Sequence, residues 1–163
     1  MTISVGDTLP EAMLMTLGAE GPQPVPLKNL VSGRKVVIFA LPGAFTPTCD
    51  SAHVPSFIRT FDQLKTNGVD EIVCISVNDP WVMQAWGEAT GAREVGITML
   101  SDPSGAYTSA IGMSFSAEPV GFVNRSIRYS MLVEDGKVKV LQVEEGRGIC
   151  EATAGEAMLA AMG

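Results

Sequence analysis

Two short runs of consecutive apolar residues mark the first half of the chain, residues 35–40 (KVVIFA) and residues 71–77 (EIVCISV). Short runs rich in β-branched residues are typical of strands that are buried on both faces of a sheet. Between them, residues 51–64 carry apolar side chains at spacings of three and four, which predicts a helix with one buried face. These side chains are Val54, Phe57, Ile58, Phe61 and Leu64. Asn67-Gly68 then predicts the end of that helix.

The second half of the chain continues the alternation of helices and strands. The predicted elements are a helix over 80–90, a strand over 98–101, a helix over 105–111, strands over 126–134 and 137–143, and a final helix over 153–162. Asp79 is expected to cap the first of these helices, with Pro80 at its start and Gly91 after its end. Asp135-Gly136 is a strong signal for a two-residue hairpin between the two long strands.

The order of these elements is β-α-β-α-β-α-β-β-α, after an irregular amino-terminal part rich in proline (Pro22, Pro24 and Pro26). This alternation predicts an α/β fold with a mixed central sheet flanked by helices on both faces. The last hairpin is expected to add antiparallel strands to a parallel start. Because no long polar or Pro/Gly/Ser-rich break interrupts the sequence, residues 1–163 are predicted to form a single domain.

Charge and composition narrow the classes of function. The formal net charge is −7 and no cluster of Lys or Arg offsets it, so binding to nucleic acid or to an anionic membrane surface is not expected. The first fifteen residues (MTISVGDTLPEAMLM) lack a basic stretch followed by an apolar one, and no segment resembles a membrane span, which predicts a cytoplasmic location. Only 18% of the residues are charged, which fits a surface that is partly covered by another subunit.

The cysteine content argues against a disulfide scaffold or a metal site. Cys49, Cys74 and Cys150 are an odd number, and no CxxC is present. His53 is the single histidine, so no zinc ligand set can be recognised. The motifs GxGxxG, GxxxxGK(S/T) and GxSxG are absent as well, so neither a metal nor a cofactor is expected.

The stretch PGAFTPTC, residues 42–49, joins the first buried strand to the next helix. It places Cys49 in the first helical turn, where free N–H groups and the positive end of the dipole favour the thiolate. A thiolate is the nucleophilic form of cysteine and the form that peroxide attacks. Thr46 lies close enough to reach the sulfur or a substrate oxygen, and Pro42 and Pro47 stiffen the loop. A buried structural cysteine is the alternative, but the polar and turn-forming neighbours favour a functional one.

PGAFTPTC resembles the active-site loop of the peroxiredoxins, which share Pro-x-x-x-Thr-x-x-Cys. Residues 74–87 (CISVNDPWVMQAWG) and 128–138 (RYSMLVEDGKV) resemble the type II, or five-like, subgroup. The resemblance extends from residue 5 (VGDTLP) to the last helix. It implies a thioredoxin-like fold and a thiol peroxidase, in which a peroxidatic cysteine attacks a hydroperoxide and becomes a sulfenic acid.

The resemblance also assigns roles to four residues by matching position. It implies that Cys49 is the peroxidatic cysteine and that Thr46 and Pro42 are its partners in the loop. It further implies that Arg128 stabilises the thiolate and the charge on the departing oxygen. Hydrogen peroxide and alkyl hydroperoxides are the expected substrates.

Arg125 and His53 lie near these residues in sequence. Residues three apart on one extended strand point to opposite faces, so only one of Arg125 and Arg128 is expected to face Cys49. The resemblance selects Arg128, and Arg125 is expected to be a solvated or interface charge. His53 lies one helical turn after Cys49. A role in orienting the arginine and an ordinary surface or core position both stay open for it, whereas a general-base role is disfavoured because a dipole-stabilised thiolate needs no base.

The reduction of the sulfenic acid depends on the other two cysteines. Cys74 lies within an apolar strand and is expected to be structural. Cys150 lies between the last strand and the last helix, about two residues earlier than the resolving cysteine that some relatives carry. An intramolecular Cys49–Cys150 disulfide would need Cα atoms within roughly 7 Å of each other. A one-cysteine mechanism with glutathione, glutaredoxin or thioredoxin as the reductant is favoured, and the disulfide stays open.

The resemblance further implies a homodimer. In the subgroup, the loop that contains Phe45 and the turn at residues 78–80 lie near a dimer interface beside the active site. Packing in the core is the alternative for Phe45 and for the aromatic residues Trp81 and Phe122.

Two other functions remain open at this point. One is a thiol–disulfide oxidoreductase, in which TPTC, residues 46–49, is a degenerate CxxC. Pro42, Thr46 and Arg128 argue against it, because disulfide exchange needs no group that binds a substrate oxygen. The other is a non-catalytic redox-sensing module that uses oxidised Cys49 as a signal.

Overall fold

Seven strands form one mixed sheet in the computed structural model of the chain, which describes residues 2–163. The strands are β1 (Met13–Gly18), β2 (Gly21–Pro26), β3 (Lys35–Ala40), β4 (Glu71–Ser76), β5 (Thr98–Ser101), β8 (Tyr129–Glu134) and β9 (Lys137–Val143), in the spatial order β2-β1-β5-β4-β3-β8-β9. Strands β3, β4 and β5 are parallel, whereas the other pairs are antiparallel. A separate two-stranded sheet consists of β6 (Ser114–Ala117) and β7 (Phe122–Ser126).

Helices pack on both faces of the large sheet. They are α1 (Leu27–Val31), α2 (Val54–Thr66), α3 (Pro80–Thr90), α4 (Ala92–Val95), α5 (Ala106–Ala110) and α6 (Gly155–Met162), with a π-helical turn at Cys49–His53 and a 3₁₀ turn at Glu118–Val120. Because side chains alternate along a strand, Val37 and Phe39 of β3 face a core shared with α2, α3 and α6, while Val36 and Ile38 face a core shared with α1 and α5. The predicted α/β fold is therefore confirmed, including the antiparallel hairpin added to a parallel start.

Several local structures that the sequence predicted, a helix cap, a helix end and a hairpin turn, are present. The Asp79 carboxylate accepts a hydrogen bond from the Val82 N–H at 2.9 Å, and Gly91 ends α3 in the left-handed conformation. Asp135 and Gly136 both have positive φ, 48° and 78°, as a type I′ hairpin turn requires. No helix in the described part of the chain is long and apolar enough to cross a bilayer.

The amino-terminal part was predicted to be irregular, and this prediction was wrong, because the segment forms the β1–β2 hairpin. Prolines at positions 22, 24 and 26 suggested a break in structure, yet they lie in β2 at the edge of the sheet. An edge strand in an antiparallel pair turns every second N–H away from its neighbour. Prolines at every second position therefore remove no hydrogen bond from the ladder.

The predicted strand over 126–134 is also wrong at its start. Strand β7 ends at Ser126 in the small sheet, and β8 begins at Tyr129 in the large one. Between them the Ile127 N–H bonds to the Met113 carbonyl at 2.7 Å, which extends the register of the small sheet one residue beyond Ser126. Arg125 consequently lies in β7 of the small sheet, whereas Arg128 immediately precedes β8 of the large one, so the alternation rule for a single strand does not apply to them.

The last helix begins two residues later than predicted. Gly155 begins α6, and a Cβ at this position would lie 2.2 Å from Thr60 Oγ1 and 2.6 Å from the Ser56 carbonyl oxygen. Its N–H donates to Ser56 Oγ at 2.9 Å. The absence of a side chain at Gly155 thus allows α6 to pack closely on α2 and fixes one end of the loop that precedes it.

Candidate active site

Cys49 lies where β3 passes into α2, in the first turn of the helix. Residues 47 and 48 are already helical, and the Asp50 N–H bonds to the Thr46 carbonyl at 2.9 Å. The turn then widens, because the Val54 N–H bonds to the Cys49 carbonyl five residues back. Pro55 explains the wider turn, since it has no N–H and its ring would collide with the carbonyl four residues earlier in a regular helix.

The Cys49 side chain is 1% exposed and lines a small cavity of about 140 Å³. The same cavity is lined by Pro42, Thr46 and Arg128. The structure therefore brings together all four residues that the sequence analysis selected, although they come from two distant parts of the chain.

Arg128 supplies the positive charge of the site. Its side chain is 2% exposed, and its Nη2 donates to Cys49 Sγ at 3.3 Å and to the Arg147 carbonyl at 2.9 Å. Its Nη1 lies 3.0 Å from His53 Nδ1. A guanidinium at this distance stabilises negative charge on the sulfur, and its low exposure limits screening by water.

His53 is a neutral imidazole that accepts a hydrogen bond from Arg128. Its Nε2 lies 3.1 Å from the Thr153 carbonyl oxygen, which can only accept, so Nε2 carries the proton and Nδ1 accepts from Arg128. Burial and the positive charge of Arg128 lower the pKa of His53 to about 3. Of the two possibilities left open for His53, the structure shows the contact with the arginine.

Thr46 and Pro42 form one wall of the cavity. The Thr46 hydroxyl donates to the Gly43 carbonyl at 2.6 Å, so its oxygen keeps lone pairs that can accept a hydrogen bond. Pro42 is buried, and its carbonyl accepts from Arg125 Nη1 at 3.2 Å. A Cβ on Gly43 would lie 2.7 Å from that Nη1, so a side chain there would displace the Arg125 guanidinium.

Arg125 was expected to be a solvated or interface charge, and the solvated alternative was wrong. The side chain is half-buried against the loop that precedes Cys49, where it bonds to Pro42 and lies 5.8 Å from the Phe122 ring centroid. The rule that only one of the two arginines approaches the site assumed a single strand. Because β7 and β8 are separate, Arg125 supports the loop while Arg128 contacts the sulfur.

Cys74 and Cys150 occupy different surroundings. Cys74 is fully buried in β4, and burial raises the pKa of its thiol well above the usual value. Cys150 is half-buried in the loop after β9, and burial raises the pKa of its thiol as well. All three cysteines are free thiols. The described residues contain no group of three or more His, Cys, Asp or Glu side chains that could hold a metal ion.

Sequence reasoning missed the groups that support the site from the loop between β9 and α6. The Arg147 carbonyl bonds to Arg128, and the Thr153 carbonyl accepts from His53 and from the Ser130 hydroxyl. Main-chain carbonyls leave no trace in a sequence. Only Ser130, which follows Arg128 closely on β8, could have been suspected from its position.

A buried thiol beside a guanidinium on a thioredoxin-like fold defines a thiol-dependent oxidoreductase, and comparison with known proteins specifies which kind. A family model described as Redoxin matches residues 4–158. Peroxiredoxin-2E-2, chloroplastic, of Oryza sativa subsp. japonica is 46% identical over 165 residues, 99% of this chain and 73% of the relative. Peroxiredoxin-2B of Arabidopsis thaliana is 42% identical over 145 residues, 88% of this chain and 89% of the relative.

Solved structures agree with these relatives. The crystal structure of reduced Prx3 from Vibrio vulnificus in complex with H₂O₂ is 45% identical to this chain, with a TM-score of 0.92, and the match covers 99% of this chain and 100% of that one. The chain belongs to the redoxin family and, within it, to the peroxiredoxins of the type II, five-like subgroup. It is a thiol peroxidase, an enzyme that reduces hydroperoxides. This confirms the peroxidase prediction over a non-catalytic redox-sensing module.

Proposed function

We propose that Cys49 is the peroxidatic nucleophile. The observation that carries the proposal is the position of Cys49 Sγ, 3.3 Å from Arg128 Nη2 at the wall of a small cavity. The thiolate attacks the distal oxygen of the hydroperoxide, so an S–O bond forms while the O–O bond breaks. The leaving alkoxide or hydroxide takes a proton and departs as an alcohol or water, and Cys49 becomes a sulfenic acid.

Arg128 stabilises both the attacking and the leaving group in this proposal. Negative charge moves from the sulfur to the departing oxygen as the O–O bond breaks, and a fixed cation beside both atoms lowers the energy of that transition state. The bond from Arg128 to His53 and the bond to the Arg147 carbonyl fix the guanidinium before substrate arrives. The arginine therefore needs little reorganisation during the reaction.

Thr46 and Pro42 orient the peroxide and limit water. Because the Thr46 hydroxyl proton is engaged by Gly43, its oxygen accepts a hydrogen bond from a peroxide O–H. Pro42 presents an apolar, rigid surface at the cavity wall. A cavity of about 140 Å³ has room for hydrogen peroxide, and its partly open wall leaves room for the organic group of an alkyl hydroperoxide.

We propose that an external thiol reduces the sulfenic acid, with glutathione, glutaredoxin or thioredoxin as the donor. The main support is the state of Cys150, because burial raises the pKa of its thiol and so reduces the thiolate that could attack. A Cys49–Cys150 disulfide is the competing route.

We further propose that the enzyme acts as a homodimer of single-domain subunits. Phe45 and Trp81 are 54% and 59% exposed, which excludes core packing for both. The two segments that carry them are joined by a hydrogen bond, in which Asn78 Oδ1 accepts from the Ala44 N–H at 3.0 Å. Exposed aromatic residues beside an active-site loop are typical of a covered surface. Sedimentation of the wild type and of Trp81→Glu tests the dimer, which the added charge should dissociate.

The cytoplasmic location stays a prediction. Peroxiredoxin-2E-2 of Oryza sativa and Peroxiredoxin-2E of Arabidopsis thaliana are chloroplastic by name. Fractionation of the source cells, followed by detection of the protein, would decide between the cytoplasm and an organelle.

Intact mass after one equivalent of hydrogen peroxide tests the site and the route of reduction together. Wild type, Cys49→Ser and Cys150→Ser are compared without reductant. Gain of one oxygen in wild type and in Cys150→Ser, but not in Cys49→Ser, supports one-cysteine chemistry at Cys49. Loss of two hydrogens in wild type alone, without formation of a disulfide-linked dimer, would replace the external thiol with Cys150. Oxidation that persists in Cys49→Ser would contradict the proposed nucleophile.

A further inference from the structure

Glu144, the first residue after β9, has a buried carboxylate that the proposed chemistry does not use. The residue is 8% exposed, and it forms no ion pair in residues 2–163. Its Oε2 accepts from the Thr153 hydroxyl at 2.7 Å, from the Thr153 N–H at 3.1 Å and from the Glu151 N–H at 3.2 Å. Its Oε1 accepts from the Ala152 N–H at 3.3 Å. A buried charge without a cation is costly unless such donors compensate it.

Three successive N–H groups that converge on one carboxylate form an anion-binding nest. Here the anion belongs to the same chain, so the nest folds residues 151–153 back onto the end of β9. The loop from the end of β9 to Thr153 packs little against the core, because residues 147–149, 151 and 152 are exposed. Two turn hydrogen bonds within this stretch are long, at 3.3 and 3.4 Å. The carboxylate thus restrains the loop together with the bonds that Arg128, His53 and Ser130 make to its carbonyls.

This loop carries two carbonyls that hold the proposed catalytic arginine, one directly and one through His53. The Arg147 carbonyl lies 2.9 Å from Arg128 Nη2, which is also the donor to Cys49. The Thr153 carbonyl lies 3.1 Å from His53 Nε2 and fixes the tautomer that accepts from Arg128. The Glu144 N–H also bonds to the Arg128 carbonyl at 3.0 Å, so the acid is attached to the arginine's own main chain.

We propose that Glu144 is a positioning residue for peroxide reduction: its carboxylate closes the loop over 147–153 so that the Arg147 and Thr153 carbonyls keep Arg128 directed at Cys49. The proposal rests on the proposed roles of Cys49 and Arg128. Glu144 contacts no reacting atom and acts only through the loop. Cys150 lies between the two carbonyls, so opening the loop also exposes its thiol.

Glu144→Gln is the direct test, with Glu145→Gln as the matched control on the exposed neighbouring acid. An amide keeps the shape but turns NH₂ donors toward N–H groups, so the nest loses its anion. Two rates are measured with the full-length protein, each as a function of pH. The first is the oxidation of Cys49 by hydrogen peroxide, and the second is the alkylation of Cys150 by iodoacetamide, located by peptide mass. Burial and, behind it, the charge of Glu144 raise the pKa of the Cys150 thiol, so only the plateau rate of its alkylation at high pH reports access to it.

We expect Glu144→Gln to slow Cys49 oxidation by roughly tenfold or more, because small displacements of a positioned group carry such costs. Cys150 alkylation should become several-fold faster, and Glu145→Gln should change neither rate. In an Arg128→Lys background, Glu144→Gln should slow oxidation much less than in wild type, because residues that act as a unit are not additive. Equal factors in both backgrounds, or slower oxidation without faster Cys150 labelling, would overturn the proposal.

Thr153→Val provides a second variant if Glu144→Gln does not fold. It removes the hydroxyl donor to Glu144 and keeps the side-chain volume close to that of threonine. Oxidation of Cys49 should slow by a smaller factor than in Glu144→Gln; Cys150 labelling does not apply to this variant, because the same hydroxyl lies 3.8 Å from Cys150 Sγ. An unchanged rate of Cys49 oxidation would contradict the role of Glu144. Cys49→Ser, measured in parallel, distinguishes failure of the Cys49 proposal from failure of the Glu144 proposal. Turnover in Cys49→Ser would contradict the proposed nucleophile. An inactive Cys49→Ser together with a fully active Glu144→Gln would contradict only the role of Glu144.

Discussion

Cys49 and Cys74 lie in the same apolar core, and both are almost completely buried, at 1% and 0% exposure. Cys74 lies in the middle of β4, where burial raises the pKa of its thiol well above the usual range. Cys49 lies in a first helical turn, in contact with a guanidinium, and lines a cavity. Burial alone therefore does not determine whether a thiol reacts. We expect a close cation and a space for substrate to determine it.

The same cation acts on several groups, but with strength that depends on distance. The charge of Arg128 lowers the pKa of Cys74, yet burial outweighs it. At Cys49 the guanidinium donates a hydrogen bond to the sulfur itself. The comparison between the two thiols is thus a comparison between a direct charge-assisted contact and a distant one.

Removing each thiol in turn should give the largest contrast. Cys49→Ser removes the nucleophile, and we expect peroxidase turnover to fall by more than about 10³-fold, as for other nucleophile deletions. Cys74→Ala should keep turnover within about twofold and cost roughly 1–2 kcal/mol of stability through a small cavity. Steady-state peroxide consumption and urea unfolding measure the two effects. Comparable losses of turnover in both variants would contradict the distinction.

Changing the cation should reduce the reactivity of Cys49 by the next largest factor. Arg128→Met keeps much of the volume and removes the charge, so we expect peroxide oxidation of Cys49 to slow by about 10²–10³-fold. Arg128→Lys keeps the charge but not the fork that contacts Cys49 and His53 together, and should be intermediate. Stopped-flow oxidation by hydrogen peroxide gives the rates. Equal rates in the methionine and lysine variants would show that charge is not the decisive property.

Removing the Thr46 hydroxyl should have a smaller effect. Thr46→Val loses one hydrogen-bond acceptor for the peroxide, which corresponds to roughly a tenfold slower reaction. Thr46→Ser retains the hydroxyl and should remain within about threefold of wild type. The same stopped-flow assay applies. A valine variant as fast as the serine variant would exclude the proposed contact with substrate.

The neutral state of His53 should appear as a pH dependence of stability. Its pKa is about 3 in the folded protein, against an ordinary value of 6.5. Between these values the unfolded chain binds a proton that the folded protein does not, so the free energy of unfolding falls as the pH is lowered. From pH 6.5 to pH 5 this residue should cost about 1.5 kcal/mol. Urea unfolding of His53→Gln should show a flatter profile over that interval, and identical profiles would contradict the neutral, buried state.

Patterns that depend on local chemistry were predictable from the sequence. The apolar runs located β3 and β4, the cap at Asp79 located α3, and Asp135-Gly136 located the last hairpin. The prolines of β2 led to a wrong prediction. Prolines at this spacing would break a central strand, but they are tolerated in a strand at the edge of the sheet. The small sheet was missed because β6 and β7 are short and only partly buried.

The groups of the site likewise divide into those that the sequence predicted and those that it missed. Cys49, Thr46 and Pro42 share one short motif, and Arg128 was found through its resemblance to a family pattern. The neighbouring Arg125 was misjudged because its position depends on a break between strands that no local signal marks. The support from the Arg147 and Thr153 carbonyls arises from tertiary folding of an exposed loop. Neither side-chain type nor spacing could have revealed it.

The most direct test of the central claim is to locate the first oxygen that the protein receives. Wild-type protein is mixed with substoichiometric hydrogen peroxide in the presence of dimedone, and the adduct is located by peptide mass. We predict that the adduct forms on Cys49, while Cys74 stays unmodified although it lies in the same core. An adduct mainly on Cys74 or Cys150, or oxidation of Cys49 no faster than that of free cysteine, would contradict the account.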